Sequence, residues 1–85
     1  DRLTIEGETT ANLEEIAVND LPEKYINKTI LDLDLRKQTG CTVIGFRNPD
    51  KEYLINPEAN IKLVADSQLI VLGRPEQIMK LREIF

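Results

Sequence analysis

The longest unbroken apolar run in this chain is four residues, Leu69-Ile70-Val71-Leu72. So short a run cannot cross a membrane as a helix, and it makes no signal-peptide core. It suits a strand buried on both faces, within the segment Gln68–Gly73. Residues 41–46, CTVIGF, are of the same kind, with Val43 expected on one face and Ile44 and Phe46 on the other. A single domain of 85 residues buries only about 60% of its extended-chain surface. Two short helices in so small a unit cannot cover both faces of a sheet built on such strands. The uncovered part is expected to be an interface, with a second copy of the chain or with a neighbouring domain.

The rest of the chain supplies those helices and further strands. Residues 1–12, DRLTIEGETTAN, have little apolar periodicity and read as a linker or the tail of an upstream segment. The chain opens at Asp1 rather than Met, as a piece of a longer protein would. Residues 13–19 alternate around Ile16 and Val18 and predict a strand; Asp20 and Pro22 mark a loop. Residues 27–40, NKTILDLDLRKQTG, are ambiguous. Ile30, Leu31 and Leu35 suit a helical face, whereas Leu31, Leu33 and Leu35 have period two. The wealth of Leu, Lys, Arg and Gln favours a short helix with a break. Asn27 or Thr29 would cap it, and Gly40 would stop it. Asn48-Pro49-Asp50 is a turn, residues 52–55 a return strand, and Asn56-Pro57 its end. Residues 59–67 form a connector carrying Ile61, Leu63 and Val64. The C-terminal helix starts at Pro75, where a missing N–H costs nothing, with Glu76 near the positive end of the dipole. Ile78, Leu81 and Phe85 recur on its core face, and Lys80 and Arg82 on others. The expected fold is α+β, a small, mostly antiparallel sheet with one short helix and a C-terminal helix.

Lys and Arg number 11 against 15 Asp and Glu, a net charge of −4. That balance opposes nonspecific binding to nucleic acid or anionic membrane. The chain has no His, no Trp and one Cys. Histidine general-base chemistry, Cys/His zinc sites and a disulfide framework are thereby excluded. No nucleophile has a candidate base and the carboxylates show no cleft-type pairing, so no enzymatic activity is expected. Asp32 and Asp34 resemble a fragment of a calcium loop but lack its Gly and distant Glu, and read as a solvated face. Asn27-Lys28-Thr29 matches a glycosylation acceptor without a secretory signal. Cys41 reads as a small buried hydrophobe, Tyr25 and Tyr53 as packing residues, and Arg36 and Lys37, taken alone, as a solvated helix end.

Four stretches, NKTILDLDLRKQTG, CTVIGFRNPDKEYLINP, ADSQLIVLG and RPEQIMKLREIF, together resemble the C-terminal domain of the regulator of potassium conductance (RCK) family, also called the TrkA C-terminal domain. The resemblance covers residues 13–85. It implies a dimerising α+β regulatory domain on the cytoplasmic face of a potassium channel, a potassium uptake system or a cation antiporter. In such proteins a nucleotide-binding Rossmann domain usually precedes it; no Gly-rich phosphate loop occurs here. Similar domains occur in organic anion transporters. Two positions depart from the family. Ala65 stands where members carry Gly, and would be strained if that turn required a positive φ. Asn27 stands where many have Gly, and tolerates a left-handed conformation.

In some members the dimer cleft binds cyclic di-AMP. The resemblance carries the ligand contacts onto Ile30, Arg36, Thr42 and Pro57. Arg36 would grip the phosphates with its planar guanidinium, and Ile30 and Pro57 would pack on the adenine faces. Thr42 stands where binding members favour Asn, and its hydroxyl offers one donor where an amide offers two. The implied mechanism is a ligand-dependent shift in dimer geometry that gates transport. Two other readings stay open. One is a structural coupler that dimerises without a small-molecule ligand, favoured by Thr42 and the scarcity of other basic residues near the cleft. The other is a divalent-cation sensor, for which no residue here can be assigned.

Overall fold

The computed structural model of the chain describes residues 2–4 and 10–85. Strands β1 (Arg2–Thr4), β2 (Thr10–Ala17), β3 (Thr42–Arg47), β4 (Tyr53–Ile55) and β5 (Gln68–Gly73) form one sheet in the order β1-β2-β5-β3-β4. All four neighbouring pairs are antiparallel. Helices α1 (Ile30–Leu33), α2 (Leu35–Thr39) and α3 (Pro75–Ile84) complete the fold, α2 and α3 packing on the sheet and on each other. β5 is central, as its composition requires. Leu69 and Val71 are fully buried on the helix-covered face, while Ile70 and Leu72 lie half-buried on the other. Around Leu69 and Val71 the core gathers Val18, Leu33, Leu35, Phe46, Leu63, Ile78 and Leu81.

The second face is apolar and lacks a helix. Residues directly opposed in an antiparallel pair share a face. Leu13, Leu72 and Thr42 therefore make one row, and Glu15, Ile70, Gly45 and Ile55 the next. Gly45 packs closely there: a Cβ would stand 3.2 Å from Ile70 Cδ1, and Ile70 would have to give by a few tenths of an ångström. The expected split of β3 is corrected by a bulge. The register shifts between Val43 and Gly45, so Val43 pairs with Val71 and Phe46 with Leu69. Val43 and Phe46 thus share the covered face, and Ile44 is the extra residue.

Other departures have local causes. Within the segment read as a linker, Arg2–Thr4 pairs with residues 10–12, so β2 begins at Thr10 rather than at Leu13; residues 1 and 5–9 lie outside the described set. This pairing rests on backbone hydrogen bonds, which leave no apolar signature. Past Ala17 the strand gives way to a 3₁₀ turn, Val18–Asp20. At the turn before β5 the positive φ falls on Asp66 (68°), so Ala65 avoids the strain expected of it. Asn27 does take the left-handed conformation (φ 67°).

The ambiguous segment resolves into two helical turns. A continuous helix would place Leu33 and Leu35 about 200° apart, and only one could face the core. Asp34, at φ 48° and ψ 42°, interrupts it. Both Leu33 (0% exposed) and Leu35 (4%) are thereby buried, and Leu31 is left 68% exposed. Thr29 caps α1. Its backbone N–H and hydroxyl donate to the Asp32 carboxylate at 2.9 and 3.0 Å, and Asp32 N–H donates to Thr29 Oγ1 at 3.3 Å. Gly40 ends α2 at φ 84°. The Thr29 backbone hydrogen bond, then its hydroxyl and the Lys28 charge, hold the Asp32 carboxyl below its ordinary value of 3.8. A carboxyl lowered on folding stabilises the fold above its unfolded pKa, and that contribution disappears as pH falls through the folded one. Urea unfolding of Asp32→Asn should show a shallower loss of stability than the parent as pH falls below 3.8.

On α3, Pro75 occupies the first turn. Ile78 and Leu81 are buried, and the Phe85 ring packs against that of Tyr25, tilted by 56° with centroids 5.3 Å apart. Tyr53 differs from the packing role expected of it. It is 57% exposed and lies under the Arg47 guanidinium, 5.5 Å from the ring centroid.

Candidate functional site

The connector and the helical pair are laced together by backbone hydrogen bonds. Ile30 N–H donates to the Ile61 carbonyl at 3.0 Å, Leu31 N–H to Ala59 at 2.9 Å, and Leu63 N–H to Lys28 at 2.7 Å. This lacing sets α1 beside the chain that leaves β4. Asn56 N–H donates to the Ile44 carbonyl at 2.9 Å, which fixes Pro57 against the bulge of β3. The result is an open groove of about 310 Å³ between α1–α2, the start of β3 and residues 57–59.

Ile30, Arg36, Thr42 and Pro57, the four positions singled out above, all line this groove. Ile30 opens α1, Arg36 stands on α2, Thr42 begins β3, and Pro57 follows β4. Leu31, Asp34 and Val43 line it too, although the sequence reading passed over them as contacts. Exposed Leu31 was the available signal, being the odd member of the Leu31/Leu33/Leu35 series. The N–H groups of Ile30 and Leu31 are already spent on connector carbonyls, so the start of α1 offers an anion nothing there. Arg36, the one cation lining the groove, is exposed and has no ion-pair partner among the described residues. The groove thus combines apolar walls with one guanidinium, one hydroxyl and the Asp34 carboxylate. That set suits a ligand with flat apolar rings and a phosphate. Asp32 is held by Thr29, and no group of three or more candidate metal ligands occurs among the described residues.

The family model described as the TrkA-C domain matches residues 13–85. The chain belongs to the TrkA-C domain family. Its sheet and helices match solved members of that fold. The GsuK channel bound to NAD is 28% identical over 87% of this chain, with a TM-score of 0.75. This chain spans only 13% of the GsuK chain. The RCK C domain of the potassium transport protein KtrA, in complex with cyclic di-AMP, is 28% identical, with a TM-score of 0.73. That match covers 88% of this chain and 84% of the KtrA domain. The RCK_C domain dimer of BusR from S. agalactiae, also with cyclic di-AMP, shares the fold at a TM-score of 0.70 and 17% identity, over 85% of this chain and 92% of its own. No curated protein matches the TrkA-C chain significantly. No helix among its described residues is long and apolar enough to cross a membrane.

Proposed function

We propose that this TrkA-C domain is a non-catalytic, cytoplasmic regulatory module of a potassium channel or cation transport protein. It dimerises and binds cyclic di-AMP at the dimer cleft. One observation carries the reading: Ile30, Arg36, Thr42 and Pro57 meet in a single groove, in a chain 28% identical to a KtrA domain solved with that nucleotide. The groove has one open side. Leu31 on its lip and Tyr53, Leu54 and Ile55 on the adjacent edge strand β4 are 46–69% exposed. A second copy would cover this surface and close the groove into a two-fold cleft. Arg36 binds a phosphate, Ile30 and Pro57 pack on adenine, and Thr42 bonds a base edge. Because the ligand contacts both copies, it favours one mutual orientation of the two domains, and only that difference in affinity can move a gate. The upstream partner is a nucleotide-binding domain coupled to a membrane transport subunit.

Thr42 favours a second reading, a coupler that dimerises without a nucleotide. Calorimetric titration with cyclic di-AMP separates the two. One nucleotide bound per two chains is the expected result. A blank titration at high micromolar nucleotide, with the dimer intact, selects the coupler.

A further inference from the structure

Among the described residues, Asp34 is the one anion lining the groove, and its charge opposes a phosphate ligand. Its main chain is fixed on both sides. Its N–H donates to the Leu31 carbonyl and its C=O accepts from Gln38 N–H, each at 3.0 Å. The left-handed conformation at this helical break is open to Asn and Gly as well as to Asp, so the break by itself does not call for a carboxylate. The side chain is exposed, and among the described residues no group bonds its carboxylate. Asp32, two residues earlier, differs, because Thr29 holds it. Arg36 shares the groove with Asp34 and forms no ion pair with it. The groove therefore carries an acceptor-only group with nothing of its own to accept from.

We propose that Asp34 selects the base of the nucleotide, its carboxylate accepting a hydrogen bond from the exocyclic amino group of adenine. The inference rests on nucleotide binding in this groove. Ile30 and Pro57 pack on the flat ring of any base, and Arg36 binds the phosphate that all nucleotides share. Thr42 cannot choose between an amino group and a carbonyl on the base edge, because a hydroxyl both donates and accepts. Asp34 can choose. An amino group meets the carboxylate as a donor. A carbonyl oxygen in the same place meets it as a second acceptor, so repulsion is added to a hydrogen bond left unmade. The carboxylate gives up some affinity for the phosphate and gains discrimination between bases.

The test compares cyclic di-AMP with cyclic di-IMP, in which a carbonyl replaces each amino group, by calorimetry on the 85-residue chain. The parent should bind the amino nucleotide at least about tenfold more tightly. Asp34→Asn keeps a residue that tolerates the left-handed conformation, and its amide turns to present either an acceptor or a donor. In that variant the two affinities should come together. Asp32→Asn removes the same charge from a carboxylate that faces Thr29, and should keep the parent's ratio. Equal binding of the two nucleotides by the parent would overturn the inference and leave nucleotide binding standing, as would a ratio unchanged in Asp34→Asn. Binding of neither nucleotide by the parent would remove nucleotide binding itself, and the inference with it.

Discussion

Leu33→Ala should destabilise the domain by about 3 kcal/mol and lower its melting temperature by roughly 12–24 °C. Leu33 is fully buried at the centre of the core, and the break at Asp34 lets Leu35 join it there while Leu31 stays outside. A domain of this size has little stability in reserve, so the loss takes a large share of it. Leu31→Ala, two residues away, removes a side chain that is 68% exposed and should change the melting temperature little. Thermal melts of both variants followed by circular dichroism make the comparison. Equal losses would mean that the helical break does not sort these leucines as described.

Arg36→Ala should weaken cyclic di-AMP binding by about 10- to 100-fold, the worth of a charged hydrogen bond to phosphate. The fold should be untouched, since the side chain is exposed and makes no ion pair among the described residues. Thr42→Asn should act in the opposite direction, because an amide presents two donors to a base edge. Calorimetry on the two variants reads both effects. An isotherm unchanged in Arg36→Ala would remove Arg36 from the site.

Much of this was legible in residue pattern. Gln68–Gly73 was readable as a strand from its composition, and its six residues stand as expected. Pro75 and the spacing of Ile78, Leu81 and Phe85 located α3. The helical break was readable too, since Leu31, Leu33 and Leu35 have the period of a strand in a stretch whose Leu, Lys, Arg and Gln favour a helix. β1 was not readable, because the segment around it shows no apolar alternation. The bulge at Ile44 was hidden for a related reason. One extra residue moves Val43 and Phe46 to the same face without altering composition. The groove was legible only through family resemblance. Ile30, Arg36, Thr42 and Pro57 lie on three elements and a loop, and no local spacing shows that the connector's bonds to Ile30 and Leu31 bring them together.

The central claim is that a second copy covers the exposed apolar surface of Leu31 and β4. Sedimentation velocity across a wide concentration range tests it most directly. A folded dimer, further favoured by cyclic di-AMP, is the expected result. A folded monomer at the highest concentration, with and without the nucleotide, would contradict the two-fold cleft and the gating built on it.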